Sequence, residues 1–153
     1  MFRHWSEYAA VPLRIGMGAI FVVHGAQKLF GWFGGSGLES TADFLASHGL
    51  TPGPFWAMVG GIGELSGGIA LLLGFLTRWA AIGLAVRTLV ALAVVNVPAG
   101  FQAAQGGVEF PLALLAGLFA LTCTGAQHYA LDARVPVLDS VSPATEPPLR
   151  KAA

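Results

Sequence analysis

The chain has 153 residues, 55% of them hydrophobic and only 10% charged, with a mean hydropathy of +0.69. An average soluble domain carries roughly 25% charged residues, so the composition excludes an ordinary soluble fold and indicates an integral membrane protein. The net charge of +0 leaves no electrostatic case for nucleic acid or for an acidic partner, and a lone cysteine, Cys123, excludes an intramolecular disulfide or dithiol relay.

Met1 to Ala10 is a short head whose Trp5 and Tyr8 suit a membrane interface. The first apolar run spans Val11 to Gly31, with Pro12 in its first turn and Gly18 and Gly25 on roughly one stripe. No Ala-x-Ala site follows it, which argues against a cleaved signal peptide. His24, Gln27 and Lys28 close this run at i, i+3 and i+4, so a helix turns all three to one side. Polar groups gathered within a membrane segment need partners or a purpose. In the loop that follows, Ser40 and Asp43 form a capping pattern, and Gly49 and Pro52 a stop. They predict a short amphipathic helix lying as a lid on the outer surface, with His48 solvated.

Three further apolar runs follow: Phe55 to Phe75, Trp79 to Val97 and Phe110 to Thr124. A membrane span takes about 20 residues. The first three runs meet that length, and the fourth does so if Glu109 or Gly125 to Ala126 lies in the interface. The expectation is an all-α membrane four-helix bundle over 1–132, followed by a polar, Pro-containing tail over 133–153. Arg3, Arg14, Arg78, Arg134, Arg150 and Lys151 fall on one side, whereas the loops Trp32 to Pro54 and Pro98 to Gly107 carry no Lys or Arg. The positive-inside bias then puts both termini in the cytoplasm. Cys123, in the cytoplasmic half of the fourth span, reads as a small packing residue.

Glu64 sits near the middle of the glycine-rich second run, where Gly63 and Gly67 mark close helix packing. An ionised carboxylate there costs on the order of 3 kcal/mol, so it is protonated or paired, as a site or as a structural ion pair. Its natural partner is Arg87. At roughly 1.5 Å per residue the two lie at matching depths below the outer ends of their runs. His24, Lys28, Asn96 and Glu109 fall in the same outer half, and a pocket lined by His24, Lys28, Glu64, Arg87, Asn96 and Glu109 accounts for all of them. Glu109 reads equally as an anion at a helix N-terminus. No metal-ligand or flavin pattern is present.

Several motifs run in order from Leu13 to Asp132. They are Arg14 with His24-Gly25-x-x-Lys28-Leu29-Phe30-Gly31, then Gly63-Glu64-x-x-Gly67-Gly68-x-x-Leu71-Leu72-Leu73-Gly74, Pro98-x-Gly100-Phe101, Gly107-x-Glu109-Phe110 and Tyr129-x-Leu131-Asp132. In these the chain resembles the DoxX family of bacterial membrane proteins. The family pattern commonly has His where Asn96 stands, Asn where Ala99 stands and an apolar residue near Arg87, which weakens a proton relay or haem-like ligation at position 96. The resemblance implies a multi-pass inner (plasma) membrane protein and two functional classes. One is the membrane subunit of an oxidoreductase complex, binding a quinone in the outer-half pocket and receiving electrons from a partner protein. The other is a structural or assembly subunit of a larger complex or homo-oligomer with no chemistry of its own.

Overall fold

The computed structural model describes residues 8–132. The head with Arg3 and Trp5, and the tail expected over 133–153 with Arg134, Arg150 and Lys151, lie outside the described residues. The described chain is all-α, with no strand. Its helices are α1 (Ala10–Phe30), α2 (Gly37–Ser47), α3 (Gly53–Leu73), α4 (Thr77–Ala91) and α5 (Glu109–Thr124). Beyond Ala91, α4 continues through a π-helical turn, Leu92–Asn96, and a 3-10 turn, Val97–Ala99.

Local chemistry sets the boundaries. Gly31 (φ 70°) and Gly74 (φ 64°) take the left-handed conformation that ends α1 and α3, where a residue with a Cβ would be strained. Pro54 fits the first turn of α3, which needs no amide donor there. The lid helix α2 starts three residues before the Ser40 expected to cap it, so Ser40 lies inside it. Ser36 occupies the cap position without a side-chain cap bond. Thr41 and Ala42 are buried, and α2 packs against α3 and α1.

Two helical stretches, Gly53–Leu73 and Thr77–Ala99, are long and apolar enough to cross a membrane. Helix α5 is a shorter apolar helix. The first run, expected to qualify with the second and third, is a 21-residue helix that does not meet the same test. It gives positions to Arg14, His24, Gln27 and Lys28.

A small apolar core of Met17, Phe21, Leu71, Leu84, Leu114, Leu118 and Leu121 lies where α1, α3, α4 and α5 meet. The outside is greasier than a water-facing surface: Phe119, Trp79, Val86, Ile62 and Leu73 are all exposed. Arg14 and Glu64, by contrast, are each only 2% exposed. Apolar side chains outside and charged groups inside mark a chain built for a lipid surround. Cys123 is exposed as well, so it is not an internal packing residue.

Glycine sets how closely the helices approach. Along the α1–α3 seam a Cβ on Gly18 would stand 2.9 Å from the Gly68 carbonyl oxygen, and one on Gly25 would stand 2.6 Å from the Leu65 amide. Gly61 and Gly68 answer from α3, against Leu29 and the Val22 amide. Small residues at heptad spacing on both helices make this a backbone-to-backbone contact. The α3–α4 pairing differs. Gly67 lies under Leu84, but a Cβ on Gly63 or on Gly83 would meet nothing within 4 Å. The pair Gly63 and Gly67, read as one packing surface, is therefore divided between a contact and open space.

Candidate functional site: a buried carboxylate between two cations

Helices α1, α3 and α4 each bring one charge to a single point in the half of the molecule nearer α2. Lys28, in the last turn of α1, donates through Nζ to both carboxylate oxygens of Glu64 at 2.7 Å. Arg87 of α4 pairs through Nη1 with Oε1 of the same carboxylate. The depth match that pointed to Glu64 and Arg87 is thus a contact, and Lys28 joins it from a third helix. Two cations face one carboxylate, so one positive charge is left over in a low-dielectric setting.

The arginine is not used up by this pairing. Its Nε is buried and has no hydrogen-bond partner. A Cβ on Gly60 would lie 3.7 Å from both Nε and Nη2, so that edge of the guanidinium runs over bare glycine. Arg87 lines a half-open groove of about 500 Å³ between α3 and α4, together with Gly60, Gly63, Gly67, Gly83, Val86 and Val90 among others, and with Leu45 and Leu50 from the α2 side. The lining is almost entirely apolar. A pocket of this size with one convergent polar group is the usual form of a small-molecule site.

Of the other residues read as pocket lining, His24 stays near the cluster, whereas Asn96 and Glu109 go elsewhere. His24 lies within electrostatic range of Glu64, Lys28 and Arg87, and its ring stands 6.1 Å from that of Phe110. Gln27 turns away from Lys28 and donates to the Phe33 carbonyl at 3.2 Å. Asn96 donates to the Gly106 carbonyl at 2.7 Å, and the Glu109 carboxylate accepts from the Ala103 amide at 3.0 Å. Asn96 and Glu109 therefore pin the 97–108 connection from its two ends. His48 bonds within α2, its Nδ1 lying 2.8 Å from the Phe44 carbonyl oxygen.

A second charged cluster, at the opposite end, was not visible in the sequence as a site. Arg14 donates to the carbonyls of Ala126 at 2.8 Å and Tyr129 at 2.6 Å. Asp132 accepts from the amides of Leu76 at 2.6 Å and Thr77 at 2.9 Å, capping α4 at a start where Leu76 has a left-handed φ of 48°. The Tyr129-x-Leu131-Asp132 motif was the available signal, but the groups these side chains bind are backbone atoms, which leave no residue-type signature.

The DoxX family model matches residues 9–97, which hold α1 to α4 and all three members of the Lys28, Glu64 and Arg87 cluster. The chain belongs to the DoxX family. Among similar DoxX relatives, a Bacillus subtilis (strain 168) protein named "Putative oxidoreductase CatD" is 34% identical over 126 residues, covering 82% of this chain and 86% of that protein. No solved structure matches this DoxX chain.

Proposed function

We propose that this DoxX protein is a multi-pass subunit of an oxidoreductase complex in the bacterial inner membrane. In this reading α1, α3, α4 and α5 cross the bilayer as a bundle, the 74–77 and 125–132 end faces the cytoplasm, and a quinone binds at the Glu64 cluster. The observation that carries the reading is the guanidinium of Arg87, set beside a net positive ion cluster and lining an apolar groove. The name of the Bacillus subtilis relative supports the oxidoreductase class.

The residues present suit such a ligand. A quinone offers carbonyl oxygens on a flat apolar ring and supplies two-electron, two-proton acceptance. Arg87 donates from Nη2, which lies beside Gly60 of the groove wall, and orients a carbonyl oxygen. The excess positive charge of Lys28 and Arg87 over Glu64 favours negative charge gained at that oxygen, most strongly where water is excluded. Glu64 keeps the two cations in place, and His24 beside them is the group able to hold or pass a proton. Electrons come from a partner protein.

Solvent extraction of the full-length protein, purified in mild detergent, tests the reading. Wild type carries quinone or takes it up when it is added, and Arg87→Met loses it while still inserting. A wild-type protein that neither retains nor binds quinone overturns the proposal. The ion triad also ties together three helices that are distant in sequence, which favours an assembly role. On that second reading the triple change Lys28→Met, Glu64→Leu and Arg87→Met lowers the yield of a partner complex and affects no ligand.

A further inference from the structure

The groove beside Arg87 has a division of labour of its own. Its lining comes from α3, α4 and the lid segment, with nothing from α1 or α5. Ser66 in that lining is already spent, its hydroxyl donating to the Ile62 carbonyl at 2.7 Å. Apart from Trp56 near the start of α3, the guanidinium of Arg87 is then the polar group left to serve a ligand. On facing helices, Gly63 and Gly83 leave open space where side chains would otherwise stand. A groove of about 500 Å³ with a single donor edge suits a molecule with one polar end and a long apolar remainder.

We infer that the α3–α4 groove is the seat of a single aliphatic chain attached to the ligand's polar head, and that Gly63 and Gly83 are the specificity-determining positions that leave room for it. Because the groove opens between two helices, the ligand enters sideways from the lipid phase. This rests on the quinone reading above and adds to it a requirement for the chain. The head rests on the Nη2 side of the Arg87 guanidinium, and the chain lies along the glycine surface.

The test uses the full-length protein in phosphatidylcholine nanodiscs, titrated with a dimethoxy-methyl-benzoquinone carrying a decyl chain and with the same ring lacking the chain. Gly63→Leu and Gly83→Leu fill the groove from opposite walls and leave Lys28, Glu64 and Arg87 untouched. Each buried methylene adds about fourfold in affinity, so blocking a few of them costs ~30-fold. The expected result is a loss of that order for the chain-bearing quinone in both variants and no change for the bare ring. Partitioning into the bilayer is the same for wild type and variants and cancels. Gly63→Ala, a smaller intrusion at the same point, gives a smaller loss in the same direction. If wild type binds both quinones and the leucine variants alter neither, the chain seat is wrong and the quinone reading stands. If wild type binds neither, both fall.

Discussion

Two arginines are held inside this molecule, and the contrast between their surroundings separates scaffold from site. Arg14 is 2% exposed and donates to backbone carbonyls of the 125–132 segment. Arg87 donates to a carboxylate that Lys28 already holds. In both, Nε lacks a hydrogen-bond partner. What differs is access. Around Arg14 the space is closed: a Cβ on Gly74 would stand 2.5 Å from its Nη1. Arg87 instead lines a groove, its Nη2 beside Gly60 of the groove wall. An unspent donor marks a binding site only where something can reach it.

That contrast makes removal of the shared carboxylate the most damaging single change. Glu64→Leu leaves Lys28 and Arg87 as uncompensated, half-buried cations and lowers stability by about 3 kcal/mol, read as thermal or denaturant unfolding in detergent. Adding Lys28→Met and Arg87→Met to it restores most of that stability, because an apolar replacement of an ion cluster is often neutral, while the quinone binding proposed above stays lost. Restored binding in the triple variant would break the distinction. Arg14→Met orphans the Ala126 and Tyr129 carbonyls and costs about 2–3 kcal/mol, with quinone affinity unchanged. Asp132→Ala, which removes the cap from the first amides of α4, costs about 1–2 kcal/mol in the same assay and also spares the ligand. The smallest effect has the opposite sign: Gly83→Ala, in open space on a helix, raises stability by about 0.5–1 kcal/mol. Gly25→Ala, on the α1–α3 seam, lowers it by about 1–3 kcal/mol.

The sequence makes the Glu64–Arg87 pair legible because depth along a span is simple counting, and both groups are too costly to leave alone in lipid. It makes Lys28 legible as a member of the cluster for the same reason. It does not reveal that Asn96 and Glu109 serve the 97–108 connection instead. Their depth fits the pocket, but the π-helical turn at Leu92–Asn96 and the folded loop beyond it govern their directions. Nor does it divide the α3 glycines, since Gly61 and Gly68 on the α1 side, Gly67 under Leu84 and Gly63 over the groove are identical as letters. Only the rotation of the helix assigns them. The α2 helix starts at Gly37 rather than after Ser40, with Ser36 in the cap position and the Thr41 hydroxyl donating to the Gly37 carbonyl of the added turn at 2.7 Å.

The seam between α1 and α3 carries a consequence for biosynthesis. The carboxylate that receives Lys28 lies 36 residues further along the chain, and the glycines that fit Gly18 and Gly25 arrive with it. When α1 leaves the ribosome it therefore has neither the Glu64 carboxylate nor the glycine surface of α3 to dock on. The order of synthesis makes this protein's first helix dependent on its third, so a chain cut off before Glu64 has no means of burying Lys28.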